Sequence, residues 1–190
     1  MKKSFIFVLV LLTGIVVLSL LAGRLTSFAS QGSTLSNVSV DVKFISISFS
    51  EKLSGGISFE EVSSLPATNV NATNNYNGAE GASMMFISVS EDSSTDVDLC
   101  IKADAGLTDA GGDVIGLGNE TYGNSSSTDI NNPALSGETS LTTGYVKSSG
   151  VVAPGGDNYY RFWLDVPSGT EAGTYNNTIS FKGVETTASC

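Results

Sequence analysis

The residues best spaced for chemistry are Asp104, Asp109 and Asp113 in KADAGLTDAGGD, an oxygen-rich stretch of a kind that can hold calcium. They lack the spacing and closing glutamate of an EF-hand loop, so ordinary turn-forming aspartates are the other reading of the same residues. Nineteen Asp and Glu residues could include an acid and a base at glycosidase separation, but no pair stands out from its polar surroundings. The chain has no histidine. That removes the commonest general base, the commonest zinc ligand and every Ser-His-Asp or Cys-His arrangement. No nucleophile elbow, phosphate-cradling glycine loop or paired-cysteine metal motif occurs either. The expectation is a protein that is not an enzyme and uses no cofactor and no metal.

Three further groups of residues bear on function. Cys100 sits inside a strand-like run and Cys190 ends the sequence. In an oxidising compartment the pair can close a long loop and tie down the C-terminus, the alternative being a buried Cys100 and a free or intermolecular Cys190. The aromatic run NYYRFWLDV alternates, with Tyr160, Phe162, Leu164 and Val166 on one face and Tyr159, Trp163 and Asp165 on the other. The first face is a candidate core, and Trp163 is a candidate contact residue if no loop covers it. Five triplets match the N-glycosylation acceptor, at Asn37, Asn71, Asn119, Asn124 and Asn176, although a chain rich in Asn, Ser and Thr also makes such triplets by chance.

The elements that must position these residues read as strands. After residue 30 no sustained helical period appears, while alternating apolar runs recur between Gly, Asn, Ser and Pro. Strand candidates are 35–44, 45–50, 55–62, 83–90, 95–103, 140–147, 158–166 and 174–184. This number of short strands fits an all-β, two-sheet, jelly-roll-like sandwich. The stretch from about Gly106 to Ser140 is small and polar, and predicts long surface loops with one short strand at Val114-Ile115 and little core. PATNVNATNNYNGAEG, Pro66 to Gly81, predicts a second such loop.

The start of the chain is of another kind. Lys2 and Lys3 precede an apolar run from about Phe5 to Ala22, and small residues follow through Ala29. That order predicts a secretory signal over 1–29, cleaved after Ala29 or near Ala22-Gly23; left uncleaved, it is long enough to anchor the chain in a bilayer. Three of the nine basic residues and none of the acids lie in that segment, leaving six Lys and Arg against nineteen Asp and Glu, a net charge of −13. A secreted chain so acidic is expected to repel nucleic acid and anionic lipid.

NVSVDVKFISISFS, Asn37 to Ser50, changes phase halfway. Val38, Val40, Val42 and Phe44 alternate on even numbers, and Ile45, Ile47 and Phe49 on odd ones. Because side chains along a strand point to opposite faces with period two, the second set faces away from the first. A bulge or corner serving two sheets is one explanation. The other is a separate N-terminal strand over 30–44 that projects from a domain over 45–190 and pairs with an open groove in a neighbour.

Three segments carry a resemblance: GGISFEEVSSLPATNVNATNNYN, DVDLCIKADAGLT and APGGDNYYRFWLDVPSGTEAGTYNNTISFKGV. In these the chain resembles the archaeal bundling-pilus and thread subunits, themselves similar to the TasA/camelysin group of biofilm fibre proteins. The resemblance implies a secreted jelly-roll subunit that polymerises head to tail with itself by donor-strand complementation. By position the donor contacts would be Leu35, Val38, Val40 and Val42. The expected setting is an extracellular, cell-surface filament acting in cell–cell adhesion or biofilm cohesion, with neighbouring filaments or cell-surface glycans as further partners. The alternative is a monomeric or membrane-anchored adhesion or glycan-binding module, with the aromatic strand or the long loops as its site.

Overall fold

The computed structural model describes residues 43–78 and 81–190. The expected signal segment over 1–29, the expected donor positions Leu35, Val38, Val40 and Val42, and the acceptor triplet at Asn37 lie outside the described residues. Lys43–Cys190 form one compact unit built of antiparallel sheet. It is all-β and sandwich-like, and the one α-helix among the described residues is the single turn α1, Glu51–Ser54. Ser50 starts that turn by accepting the Leu53 N–H on its hydroxyl, and Leu53 is buried beneath it.

The centre of the larger sheet is β10, Asp157–Val166, whose aromatic and branched residues suit a strand buried on both faces. Along one edge its first half pairs with β3, Met85–Val89, and its second half with β2, Ala67–Asn71. Along the other edge it pairs with β7, Glu120–Ser125, which continues to β8, Thr139–Ser140. The short β1, Ile47–Phe49, extends the sheet beyond β3. The smaller sheet is β11, Ile179–Glu185, then β4, Val97–Ala103, then β9, Val146–Val152. A two-stranded ribbon joins β5, Leu107–Thr108, to β6, Val114–Ile115.

The main core lies between the sheets. Met85, Ile87 and Val89 of β3 and Tyr160 and Phe162 of β10 meet Val97, Leu99 and Ile101 of β4, all within 1% of complete burial. Each set recurs every second residue, as alternation requires. Leu164 and Val166 leave this core and form a second cluster with Leu107 and Ile115. Cys100, on the opposite face of β4 from the core, is bonded to Cys190 across a Cα separation of 5.7 Å, so the C-terminus is fastened over the smaller sheet.

Several strand expectations need correction. The 55–62 segment makes only an isolated bridge, Phe59 to Ala72, because its apolar side chains line an opening rather than a sheet. A strand, β2, lies instead in the Asn-rich stretch read as loop, where Ala67 and Val70 pack on the second cluster. The 106–140 stretch supplies core after all, through Leu107, Ile115 and Tyr122, and contributes all of β7. β7 is stabilised by pairing six residues with β10, which overrides its weak strand propensity. The strand placed at 140–147 is displaced to Val146–Val152.

The outer face of β10 is also buried, by loops. Arg161 is 1% exposed, and its guanidinium donates to the carbonyls of Asn75 (2.9 Å), Pro133 (2.8 Å), Asp129 (2.6 Å) and Gly81. Its Cζ lies 4.1 Å from the centre of the Tyr76 ring. One side chain thereby holds two polar loops against the sheet.

Candidate functional site

The side of the sandwich between β11 and the 56–65 segment is an open groove of about 1000 Å³. Ile57, Phe59, Val62 and Leu65 line one wall, and Tyr175, Ile179 and Phe181 the other. Leu107, Ile115, Leu164, Val166 and Glu120 form its floor, so the groove opens directly onto the second apolar cluster. Phe49 and Leu53 line one end. These wall residues are half-buried or exposed, with Phe49 45% and Leu65 43% accessible.

β1 explains where the groove begins. Lys43 pairs with Glu185 at the C-terminal end of β11. From there the chain runs along the flank of β11, with Ile45 and Ile47 against Gly183 and the Phe49 ring 5.6 Å from that of Phe181. A Cβ at Gly183 would stand 3.0 Å from Val97, 3.1 Å from Ile47 and 3.2 Å from Ile45, so any larger residue would have to displace these side chains. The odd-numbered set of the phase change therefore belongs to this domain. Its even-numbered member Phe44 points outward, 53% exposed. Beyond Phe49 the strip alongside β11 is uncovered among the described residues.

β11 is an edge strand. It pairs with β4 alone among the described residues, and all seven of its residues are half-buried. An uncovered edge carries backbone N–H and C=O groups able to pair with another strand. β1 meets β11 through side chains on the core-facing side of the strand, which leaves the backbone edge of β11 unpaired among the described residues.

The charges lining the groove are Glu60, Glu61, Glu120 and Glu171, with no Lys or Arg among the lining residues. Glu120 is 2% exposed, and its Oε2 accepts a 2.6 Å hydrogen bond from Asn177 Nδ2. Burial pushes its carboxyl above the usual range, partly offset by the Asn177 bond. The Tyr175 hydroxyl donates to the Glu171 carbonyl, and its pKa is raised by desolvation and by Asp109, Asp113 and Glu171 nearby.

The remaining sequence candidates are dispersed. Asp104 accepts the amides of Ala105 and Thr178, and Asp109 those of Gly111 and Asp113, which is turn-forming behaviour. No group of three potential metal ligands converges among the described residues. Trp163 is 2% exposed; its ring covers Gly123 and its Nε1 donates to Asn71, so it offers no platform for a sugar. Asn124 and Asn176 are exposed, Asn119 is half-buried with its amide on the Gly116 carbonyl, and the Asn71 carbonyl is engaged by Trp163. Sequence reasoning missed the groove and Glu120, because the polar 106–140 stretch gave no sign of lying beneath an opening. Scans against known families, curated proteins and solved structures return no match.

Proposed function

We propose that this chain is an extracellular filament subunit that polymerises by inserting its N-terminal strand into the groove of the next copy, and that its sandwich is jelly-roll-like. The observation that carries this reading is the apolar groove beside the edge of β11 that no described residue pairs with. Residues 35–42, fully extended, span ~26 Å and β11 ~23 Å at ~3.3 Å per residue. Val38, Val40 and Val42 with Leu35 would supply the apolar row, each worth about 1.5–3 kcal/mol if fully buried, before ordering costs. Backbone pairing to β11 sets the register, as in strand addition generally.

A neighbour is favoured over self-insertion by the local sequence. Asp41 is the one turn-forming residue type in Asp41-Val42-Lys43-Phe44, and the segment has no Gly to follow it and supply the second positive-φ position of a tight hairpin beside β11. A tail that enters a copy other than its own makes a heterologous contact, whose repetition gives a filament. The resemblance to bundling-pilus and fibre subunits points the same way, toward adhesion between cells or cohesion of a biofilm.

The test is electron microscopy of the mature protein beside a version lacking residues 30–43. Filaments from the first and none from the second are expected. Filaments from both, or dispersed folded particles from the intact chain across protein and salt concentrations, would overturn the proposal.

A further inference from the structure

On the strand-insertion reading proposed above, the inserted strand lies over a buried acid in the groove floor. Glu120 opens β7 and lies among Leu107, Ile115, Leu164 and Val166. Asn177, on the segment leading into β11, is the one side chain among the described residues that hydrogen-bonds it. Every other charged group lining the groove is acidic: Glu60 and Glu61 on one wall, Glu171 on the other. Around Asn177 and Tyr175 the neighbouring charges are Asp104, Asp109 and Asp113, acids again. Among the described residues no Lys or Arg lines the groove beside Glu120 to hold it ionised.

We propose that Glu120 makes filling of the groove proton-coupled, so that an inserted apolar strand takes the neutral carboxylic acid in preference to the carboxylate. With the groove open, Glu120 is only 2% exposed but still lines the opening. A strand laid along it closes that last approach to solvent and leaves Asn177 as the polar partner, which penalises the charged form. The direction in which burial already moves this carboxyl agrees. Insertion therefore raises the carboxyl's pKa further. By linkage, whatever raises that pKa is itself strengthened as pH falls between the filled-groove and open-groove values. One coupled site limits the effect to about tenfold in affinity per pH unit.

The experiment measures the critical concentration of the mature chain, as protein left unpelleted after filaments are spun down, across pH 4.5 to 8. It is run for the natural sequence, for Glu120→Gln, and for Glu61→Gln as a rim control. Glutamine keeps the shape and can still bond Asn177. The natural chain and the rim variant should show a critical concentration that rises with pH, and Glu120→Gln a low and nearly flat one. A pH-stat readout on the natural chain alone should show net proton uptake on assembly, which does not depend on any variant folding. Filaments with equal pH dependence in the natural chain and Glu120→Gln would overturn the proton coupling while leaving strand insertion intact. So would tighter assembly of the natural chain as pH rises, which would mean that an ionised Glu120 accepts a hydrogen bond from the inserted strand. Absence of filaments from every chain at every pH would overturn strand insertion and this inference with it.

Discussion

Replacing Arg161 by methionine tests whether one guanidinium holds the loops on the outer face of β10. Methionine fills most of the volume but donates nothing, so the carbonyls of Asn75, Pro133 and Gly81 lose a buried donor, and that of Asp129 a partly buried one. Each buried acceptor left without a donor costs about 1–3 kcal/mol. Loss of the stack on Tyr76 adds about 1 kcal/mol. Against this, the guanidinium is no longer desolvated, and the exposed loops can shift to admit water. The balance should be a loss of about 3 kcal/mol, a large share of the stability of an ordinary domain. Urea unfolding read by fluorescence measures it directly. The single tryptophan, Trp163, is two residues away beneath the same loops, so its emission should also move to the red before global unfolding. Arg161→Lys should recover only part of the loss, because an ammonium cannot reach four separate carbonyls. A loss below about 1 kcal/mol with unchanged emission would refute the reasoning, since the loops would then be held by other contacts.

Other outcomes follow from single features. Removing the Cys100–Cys190 bond, which spans a separation of 90 residues, should cost about 4.6 kcal/mol by chain-entropy reasoning, read as a fall in denaturation midpoint on Cys190→Ser. Gly183→Val should push Ile45 and Ile47 off β11, lowering stability by about 1–3 kcal/mol and speeding amide exchange in β1 ahead of β4. Glu120 has a folded-state carboxyl raised above its unfolded value, so its ionisation opposes folding. Its contribution is most favourable below the unfolded pKa and is lost as pH rises through the folded one. Melting temperatures of Glu120→Gln should therefore gain on the natural protein as pH rises from acid to neutral. Asp104 and Asp129 have lowered values caused first by backbone hydrogen bonds, from Thr178 and from Asn131. Their stabilising effect has the opposite sign and fades as pH falls, so Asp129→Asn should flatten the acid limb of the same curve.

Alternation alone fixed the class of this protein and much of its core. SMMFISVS, TDVDLCIKA and NYYRFWLDV each repeat apolar residues with period two, and β3, β4 and β10 form from them with those residues inside. The odd-numbered set of Ile45, Ile47 and Phe49 was likewise legible as belonging to one face. The absence of histidine, the acidity and the two cysteines are composition, and need no fold to be read.

Tertiary structure decided what local pattern could not. ETYGNS has little strand propensity, yet β7 forms because β10 offers a full row of backbone partners and Gly123 leaves space for the Trp163 ring. The burial of Trp163 and Arg161 depends on Asn75, Tyr76 and Gly81 and on the loop at 129–135, whose placement is non-local. Cys100 and Cys190 meet because β11 pairs with β4 and brings the C-terminus back over it. Glu120 looks like any surface acid in sequence. It becomes a buried one because β7 ends against β10 while Asn177 and the second apolar cluster close around it. Sequence periodicity reports which face of an element avoids water; which element lies opposite, and where a side is left open, depends on pairings between residues far apart in the chain.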